Sequence, residues 1–390
     1  MALKVLMLST LFPDISRPNF GVFVERQARE LASRSEAHVT VIAPVGIPPW
    51  PLSRAAPYAA LRALPRHERW QNLTVHRPRF PIIPKFGGRT NVTTMTRAIL
   101  PLVRRLHGER PFDVIDASFF FPDGPVAQRL SKAIGVPYSV KARGADIHYW
   151  GKRRGTRKLV LGAAEGAAGL LAVSAAMRRS MIDMGVDGDK IRVHYTGVDL
   201  DRFQISDRDA AKAALGFAGK PAILSVGALI PRKGQDLLIR ALPAIPDAVL
   251  LLAGHGPDRT ALERLGAELG VDDRLGMLGA VAHADLPGLY AAADVMALPS
   301  ASEGLANAWV EALACGTPVV ISDVGGAREL VDRPEAGQIV DRTPEAIADA
   351  IRTILAAPPP REAVRETALR FTWTANGDTL LDHLQRIAGK

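Results

Sequence analysis

Two glutamates eight positions apart, Glu303 and Glu311, are the residues of this sequence best suited to hold the two ends of a long polar ligand. A helix is expected from about Asn307, and the Ala-Cys-Gly-Thr-Pro segment at 314–318 is typical of a helix end. Counted along such a helix, Glu311 lies roughly two turns beyond Glu303, about 12 Å of rise, on a similar side. The N–H groups at the helix start would face an anion. A ligand built of sugar, diphosphate and ribose has that shape.

The positive charge that a diphosphate requires is found in residues 225–234, which begin at the end of an apolar run expected to be a strand. There Gly227 precedes the adjacent cations Arg232 and Lys233. Arginine is a fork of donors and lysine a point charge, and both suit phosphate. A solvated turn is the alternative interpretation of this loop.

Two weaker signals follow other expected strands of the second half. Gly254-His255-Gly256 is a short glycine-rich segment, which a tight turn explains as well as a ligand contact of His255 does. Gly279 ends the next strand, where its backbone could contact a nucleobase edge.

In the first half, two strand ends carry candidate contacts. Gly21 precedes an expected helix and could let a phosphate or sugar approach the backbone, although a turn alone could also require this glycine. Arg143 follows another strand and is expected to meet an anionic group. Asp146 fits a helix cap as well as a ligand contact.

Metal and nucleophile chemistry have little support in the residue pattern. Asp199 and Asp201 provide weak support for a metal site, because hard cations need several oxygen ligands. Capping of the next helix explains these two residues better. The sequence contains no His-Glu-x-x-His and no Gly-x-Ser-x-Gly. The single cysteine, Cys315, lies in the expected helix end and is interpreted as a buried packing residue.

Charge divides the chain into two unlike halves. Residues 1–200 hold 30 Lys and Arg against 15 Asp and Glu, whereas residues 201–390 hold 19 against 25. The basic excess is concentrated between 51 and 110 and consists of Arg54, Arg62, Arg66, Arg69, Arg77, Arg79, Lys85, Arg89, Arg97, Arg104, Arg105 and Arg110, with Trp50, Trp70, Phe80 and Phe86 interleaved. Such a surface suits an anionic membrane or a lipid-diphosphate acceptor, and a solvated basic surface is the alternative.

Apolar runs alternating with helical patterns predict two doubly wound α/β domains. Strands are expected at 3–8, 38–43, 73–78, 114–116, 138–141, 169–173 and 191–194, then at 222–226, 249–253, 275–278, 295–298, 318–321 and 337–340. The proline-containing stretch 44–72 is expected to be a loop or irregular insertion. The predicted domains are 1–197 and 198–371, with a last helix in 372–390, and the ligand is expected in a cleft between facing strand ends. One cysteine, a first segment that fits a buried strand and no run of about 20 apolar residues favour a cytoplasmic protein.

In order and spacing, the motifs of this chain resemble those of the family 4 (GT4) retaining glycosyltransferases, which have the GT-B fold. The resemblance covers nearly the whole chain and is strongest over residues 193–330. It rests on Gly197-Val-Asp-Leu-Asp-Arg-Phe203, Pro231-Arg-Lys-Gly234, Ala253-Gly-His-Gly-Pro257, Leu278-Gly279, Leu286-Pro-Gly-Leu-Tyr290, Leu298-Pro-Ser300, the pair Glu303 and Glu311, Gly316-Thr-Pro-Val319 and Gly325-Gly-Ala-Arg-Glu329.

The resemblance implies a role for each matching residue. Glu303 would bind hydroxyls of the donor sugar, Glu311 the ribose, and Lys233 with a nearby arginine the diphosphate. Backbone amides would help to bind sugar and phosphate at Gly304, Leu305, Ala306 and Asn307. The last helix, after Trp373, would cross back to the N-terminal domain.

Two departures from the family pattern stand out. Gly227-Ala228-Leu229 replaces a common Gly-Arg-Leu, so Arg232 is expected to supply the arginine. Arg143-Gly144 replaces a His-Gly pair.

The resemblance implies transfer of a sugar from a nucleoside diphosphate sugar, with retention and without a metal or other cofactor. The expected acceptor is a glycan or a lipid-diphosphate-linked molecule, with possible peripheral attachment to the membrane. A non-catalytic sugar-nucleotide-binding subunit and a sugar-nucleotide epimerase remain alternatives on the same fold, whereas the pyridoxal lysine motif that a phosphorylase needs is not found in the sequence. Nucleic acid is not an expected partner, because the second half is acidic and contains no known reader motif.

Overall fold

The computed structural model describes residues 2–83, 88 and 90–390. These residues form two compact units: one runs to Gly197 and includes Trp373–Lys390, and the other is Val198–Thr372. Lys85, Phe86 and Arg89 of the expected basic surface lie outside the described residues.

The strands of the two units share one numbering. They are β1 (Leu3–Leu8), β2 (Ala37–Ile42), β3 (Val45–Ile47), β4 (His67–Trp70), β5 (Leu73–His76), β6 (Arg79–Pro81), β7 (Val114–Ala117), β8 (Tyr138–Ala142), β9 (Gly169–Ala172), β10 (Ile191–Val193), β11 (Ala222–Val226), β12 (Val249–Ala253), β13 (Leu275–Gly279), β14 (Val295–Leu298), β15 (Val319–Ser322) and β16 (Gly337–Val340).

The α-helices are numbered in the same way. They are α1 (Val22–Ala32), α2 (Tyr58–Ala63), α3 (Asn91–Glu109), α4 (Asp123–Ile134), α5 (Arg154–Gly166), α6 (Ala175–Asp183), α7 (Arg208–Ala214), α8 (Gln235–Ala241), α9 (Arg259–Glu268), α10 (Leu286–Ala292), α11 (Asn307–Ala314), α12 (Ala327–Leu330), α13 (Pro344–Ala356), α14 (Arg361–Glu366) and α15 (Trp373–Ala388).

The first unit is built on a sheet with the strand order β10-β9-β8-β7-β1-β2-β5-β4. Its strand pairs are parallel except for β4 with β5. Side chains alternate across the sheet, so Leu6 of β1 packs in one apolar core and Met7 in another. Leu380 and Leu384 of α15 pack with Val5, and α15 contacts α1, so the last helix belongs to this unit.

The second unit is a wholly parallel sheet with the order β13-β12-β11-β14-β15-β16. Leu250 and Leu252 of β12 pack against Ile239 of α8 and Ile351 of α13 in its core. The predicted α/β class with parallel sheets is confirmed. Every expected strand of both halves is present, with its ends moved by at most two residues.

The prediction that residues 44–72 lack regular structure was wrong. The segment contains β3, α2 and β4, and β4 joins the edge of the first sheet by pairing antiparallel with β5. The pattern His-Glu-Arg-Trp of β4 has no apolar alternation, because an edge strand buries little surface and polar side chains protect its open edge.

Binding to a membrane surface does not require a helix that spans the membrane. No helix in the described part of the chain is long and apolar enough to cross a bilayer.

Candidate functional site

Glycine loops at the carboxyl ends of β11, β12 and β13 are joined by backbone hydrogen bonds. The Gly227 N–H donates to the Ala253 carbonyl at 3.0 Å, and the Gly254 N–H donates to the Gly279 carbonyl at 2.7 Å. A side-chain carbon at Gly254 would lie 1.8 Å from the Gly227 oxygen, so only glycine allows these loops to approach. Gly254 is therefore explained by packing, and the Gly279 carbonyl already accepts one bond.

His255 lies between two such glycines. Its carbonyl accepts the Leu229 N–H at 3.1 Å, and a side-chain carbon at Gly256 would lie 2.1 Å from the Leu229 oxygen. The His255 side chain itself is exposed. This geometry matches the turn interpretation of the segment, and a ligand contact of His255 stays a prediction.

Three of the expected donor-binding side chains meet at one point. Lys233 Nζ donates to Glu303 Oε1 at 2.7 Å, and Arg232 Nη1 lies 3.5 Å from the same oxygen. The Glu303 and Lys233 side chains are 10% and 14% exposed, whereas that of Arg232 is 44% exposed. A side-chain carbon at Gly227 would lie 3.6 Å from Lys233 Cε, so the lysine extends beside Gly227. The loop after β11 and the loop after β14 thus form one charged cluster.

The backbone at Glu303 is held by the turn between β15 and α12. The Gly326 N–H donates to the Gly304 carbonyl at 2.7 Å. A side-chain carbon at Gly325, which has φ +54°, would lie 2.4 Å from the carbonyl oxygens of both Glu303 and Gly304. Close contact with a glycine turn therefore fixes where the Glu303 carboxylate begins.

Helix α11 begins at Asn307 and ends before Gly316, which has φ +70°, as predicted. Ala306 occupies the N-cap position and offers no side-chain acceptor. The N–H groups of the first turn therefore lack a side-chain cap. That of Trp309 donates to the Ala306 carbonyl at 3.1 Å, and the half-buried Asn307 and Ala308 carry the other two. Residues 301–306 are not helical, so helical rise separates Glu311 only from Asn307, by about 6 Å. The 12 Å predicted between Glu303 and Glu311 assumed helical rise from Glu303, which residues 303–306 do not have, so the separation of the two carboxylates stays a prediction.

Glu311 is bound by two side chains that the sequence analysis missed. His283 Nε2 lies 2.9 Å from Oε1, and the Tyr290 hydroxyl donates to Oε2 at 3.0 Å. Because a carboxylate accepts, this nitrogen of His283 is the donor. Burial, followed by the charge of Glu311, raises the pKa of Tyr290 well above its usual value. Each carboxylate oxygen has a second lone pair, so Glu311 keeps acceptor capacity for a ligand.

Cys315 is fully buried, which confirms it as a packing residue. Burial, with a contribution from Glu311, raises the pKa of its thiol to about 12. A thiol with that pKa is inert at neutral pH.

In the first unit, Gly21 adopts φ +71° at the start of α1. A side-chain carbon there would lie 2.5 Å from the Leu11 carbonyl oxygen. The close approach that this glycine allows is therefore made by the chain itself, which favours the turn interpretation over a ligand contact.

Arg143 is held by groups of its own unit. Its Nε donates to the Ser118 carbonyl at 2.7 Å, its Nη2 to Gln27 Oε1 at 3.1 Å, and the guanidinium lies 4.7 Å from the Phe23 ring centre. Burial lowers the pKa of Arg143 to about 10, which leaves it charged at neutral pH. Arg143 is half-buried, so a contact with an anionic ligand stays a prediction.

Asp146 stabilises a turn of the backbone. Its carboxylate accepts the N–H groups of Phe120 at 3.1 Å, Arg143 at 3.0 Å and Gly144 at 2.7 Å. Asp146 is the first residue of the turn Asp146–Trp150, whose N-cap is Ala145 without a side-chain cap, so the helix-cap interpretation was wrong and a ligand contact stays a prediction.

Sequence analysis also missed a buried polar cluster beneath Arg143. Lys141 Nζ donates to His194 Nδ1 at 3.0 Å, and His194 Nε2 donates to the Asn376 carbonyl at 3.0 Å. Burial lowers the pKa of Lys141 and of His194. Burial raises the pKa of Asp116 to about 6, against the opposing effect of Lys141. These hydrogen bonds connect β8, through His194 directly after β10, to Asn376 of α15.

Part of the expected basic surface is not at the surface. Arg77 is 1% exposed, pairs with Glu68 at 2.5 Å and donates to the Pro13 carbonyl at 2.8 Å, and Phe80 is also buried. Both side chains are removed from the predicted surface because they complete the packing around β5 and β6. The arginines that remain exposed are Arg54, Arg62, Arg66, Arg69, Arg97, Arg104, Arg105 and Arg110.

Metal ligation has no structural candidate in the described ranges. Residues 2–83, 88 and 90–390 contain no group of three or more His, Cys, Asp or Glu side chains that could hold a metal ion.

Two family models match successive parts of the chain. The model described as Glycosyltransferase Family 4 matches residues 21–202, and the model described as Glycosyl transferases group 1 matches residues 207–371. A GDP-mannose-dependent α-(1-6)-phosphatidylinositol monomannoside mannosyltransferase of Mycolicibacterium smegmatis is 32% identical over 317 residues, which are 68% of this chain and 82% of the relative. The chain belongs to glycosyltransferase family 4.

A second relative of this glycosyltransferase is matched over a shorter region. The D-inositol 3-phosphate glycosyltransferase of Saccharomonospora viridis is 37% identical over 213 residues, which are 50% of this chain. The match spans 49% of that relative, so this chain covers about half its length.

Solved structures identify the fold of this glycosyltransferase as GT-B. A sucrose-phosphate synthase from Thermosynechococcus elongatus superposes with a TM-score of 0.84 at 23% identity, covering 99% of both chains. Anabaena HepE, solved in complex with UDP and glucose, superposes with a TM-score of 0.77 at 22% identity, covering 98% of this chain and 100% of that one. At these identities the likeness concerns the fold alone.

Proposed function

We propose that this family 4 glycosyltransferase transfers a sugar from a nucleoside diphosphate sugar to a glycan or lipid-linked acceptor, with retention and without a metal. The observation that carries the proposal is the Lys233, Arg232 and Glu303 cluster in the same unit as the uncapped start of α11. It places cations for a diphosphate beside a carboxylate for sugar hydroxyls.

The proposed roles follow from the charge that develops during transfer. The bond between the anomeric carbon and the diphosphate oxygen breaks, and the electron pair leaves with that oxygen. Lys233 and Arg232 would stabilise the added negative charge, together with the N–H groups of α11. Glu303 would accept bonds from the sugar, and Glu311 from the ribose.

Retention needs no protein nucleophile in this scheme. The acceptor oxygen attacks on the face that the diphosphate leaves, and the departing phosphate oxygen takes the acceptor proton. The catalytic work of the protein is then to neutralise the leaving group and to exclude water, which would otherwise act as the acceptor.

A donor screen tests the proposed chemistry. UDP-, GDP- and ADP-sugars are compared by thermal shift and by release of the nucleoside diphosphate, using wild type, Lys233→Ala and the exposed-lysine control Lys220→Ala. We expect the sugar nucleotides of one base to raise the melting temperature of wild type and to be hydrolysed slowly. Only Lys233→Ala should lose both effects. If no donor gave either signal, or if Lys233→Ala behaved like wild type, the assignment would be wrong.

The proposed membrane surface is narrower than the basic segment 51–110. Trp50 and Leu52 are 73% and 51% exposed, and the single turn Leu52–Arg54 contacts α2, which carries the exposed Arg62. Apolar side chains flanked by arginines suit an anionic bilayer face, at about 1 kcal/mol per basic residue near the surface. The charge would bring the acceptor side of the enzyme to a lipid-linked substrate.

Co-sedimentation with phosphatidylglycerol vesicles at low salt tests this surface. We expect wild type to bind, and the double variant Trp50→Ala/Leu52→Ala to bind several-fold less. The control is Leu369→Ala, which removes an equally exposed leucine of the second unit. Failure of wild type to bind, or equal binding of both variants, would remove this surface as the membrane contact.

A further inference from the structure

The two groups proposed to hold opposite ends of the donor linkage form an ion pair with each other. Lys233 Nζ, proposed for the phosphate, lies 2.7 Å from Glu303 Oε1, proposed for the sugar. Both side chains are largely shielded from water, at 14% and 10% exposure. Screening by solvent is therefore weaker than for a surface pair, and each charge is sensitive to what replaces its partner.

We infer that Glu303 makes the site selective for an intact nucleoside diphosphate sugar over the free nucleoside diphosphate that transfer leaves behind. This inference rests on the proposed function, because it takes Lys233 as the phosphate contact. It assigns to Glu303 a second task besides holding the sugar, namely the expulsion of product.

An intact donor satisfies both members of the pair. Its phosphate takes Lys233, and the hydroxyls of its sugar donate to Glu303, so the carboxylate exchanges one partner for another. The phosphate that carries the sugar is a diester and bears a single charge. The exchange therefore leaves neither Lys233 nor Glu303 uncompensated.

A free nucleoside diphosphate satisfies only Lys233. It has no sugar hydroxyls for Glu303, and its terminal phosphate carries more negative charge than the same group in the donor. That phosphate would lie next to the Glu303 carboxylate, and both groups would share Lys233 as their cation. Like charges at this range, in a poorly hydrated place, oppose binding.

The Glu303 backbone is held in place and is not able to move away from a bound phosphate. Its carbonyl lies where a side-chain carbon of Gly325 would be 2.4 Å away, and the next carbonyl, of Gly304, accepts the Gly326 N–H at 2.7 Å. The turn therefore fixes the backbone position from which the Glu303 carboxylate extends toward Lys233.

The reaction itself converts a favoured ligand into an opposed one. The anomeric carbon exchanges its bond to the diphosphate oxygen for a bond to the acceptor oxygen, and the diphosphate keeps the electron pair. The acceptor proton passes to that phosphate, which releases it to water at neutral pH because its second pKa is about 6. The charge beside Glu303 has then grown, and the hydroxyls that donated hydrogen bonds to the carboxylate have left with the product.

Isothermal titration of wild type and Glu303→Gln tests the inference, with UDP, GDP and ADP as probes and with UDP-glucose, GDP-mannose and ADP-glucose as intact donors. For the base that wild type binds, we expect Glu303→Gln to bind the free diphosphate about tenfold more tightly, which is about 1.4 kcal/mol. The intact donor should bind no more tightly than to wild type. Product inhibition of donor hydrolysis should strengthen in parallel.

Two further variants separate charge from fold. Glu268→Gln removes one exposed carboxylate from the end of α9 in the same unit and should leave all affinities unchanged. Glu303→Asp keeps the carboxylate and should keep the weak binding of free diphosphate even if Glu303→Gln is unstable. Equal diphosphate affinity in wild type and Glu303→Gln, with binding present, would overturn this inference and leave the proposed function standing. Absence of binding of every intact donor to wild type would overturn both.

Discussion

Replacing Glu311 by alanine should damage the second unit in two measurable ways. The carboxylate accepts one bond from His283 at 2.9 Å and one from Tyr290 at 3.0 Å. Tyr290 is fully buried, so the variant leaves its hydroxyl without a partner and without water. Hydrogen bonds to a charged group are worth about 1.5–3 kcal/mol, and an unpaired buried hydroxyl costs about 1–3 kcal/mol. We therefore expect Glu311→Ala to lower the free energy of unfolding by about 3 kcal/mol.

The predicted loss is large enough for thermal unfolding to detect. For a unit of this size, 1 kcal/mol moves the melting temperature by about 2–4 °C, so Glu311→Ala should melt about 6–12 °C below wild type. The same variant should bind the nucleoside diphosphate more weakly, because the proposed ribose acceptor is gone. Two readouts are needed, since either loss alone has another explanation.

Tyr290→Phe distinguishes the structural role of the carboxylate from its binding role. It removes the hydroxyl but leaves the Glu311 carboxylate with His283, so stability should fall while nucleotide affinity stays close to wild type. In the double variant Glu311→Ala/Tyr290→Phe no hydroxyl is stranded, so the loss of stability should be about 1–2 kcal/mol smaller than the sum of the single losses. Additive losses would refute the coupling. Unchanged nucleotide affinity in Glu311→Ala would refute the ribose assignment.

Three other perturbations have expected outcomes. Lys233→Ala should lower the rate of sugar transfer by about 10²–10³, the usual loss when one group that stabilises a developing negative charge is removed, with a melting temperature close to that of Lys220→Ala. Gly254→Ala should lower the free energy of unfolding by more than about 2 kcal/mol, because its methyl group would lie 1.8 Å from a carbonyl oxygen, whereas Gly288→Ala in α10, with open space, should be neutral or stabilising. Burial raises the pKa of Asp123 from 3.8 to about 7, so the folded state retains a proton that the unfolded state releases between these values. Denaturant unfolding at a series of pH values should find wild type losing stability relative to Asp123→Asn as pH rises through that interval, and parallel curves would contradict the shift.

That Arg232, Lys233 and Glu303 lie together was predictable because each follows a strand closely in the chain. Arg232 and Lys233 lie six and seven residues after the end of β11, and Glu303 lies five residues after the end of β14. Carboxyl ends of parallel strands meet at one edge of a sheet, so alternation of strands and helices is sufficient to bring such residues together. The 2.7 Å contact between Lys233 and Glu303 agrees with that reasoning.

The partners of Glu311 were not predictable in the same way. His283 lies in a loop without regular structure, and Tyr290 belongs to a helix whose inward face the pattern does not distinguish from ordinary core. Their convergence on one carboxylate depends on how α10 packs beside α11, which is a tertiary contact. The Leu-Pro-Gly-Leu-Tyr segment was noted as a motif, but no role for its tyrosine hydroxyl follows from spacing.

The predictions of the sheet edge and of the basic surface were partly wrong for a related reason. Arg77 was counted with the basic surface because arginine is usually exposed, yet an ion pair with Glu68 and the Pro13 carbonyl satisfy it at 1% exposure. Neither partner is close to Arg77 in the chain. Composition predicts the sign of the charge on a surface. Whether each charged side chain is buried depends on tertiary contacts between strands.

The same distinction between local sequence and tertiary contact applies to Arg143. Arg143 is the cation of the first unit that the sequence singled out, but the groups that orient it, Gln27 and the Ser118 carbonyl, come from distant segments. Below it, Lys141 connects through His194 to Asn376 near the start of α15. A change in any of these residues would move the guanidinium without altering the motif around Arg143. On the proposal that Arg143 meets an anionic group of the acceptor, Gln27→Ala should change the KM for the acceptor while leaving donor affinity intact.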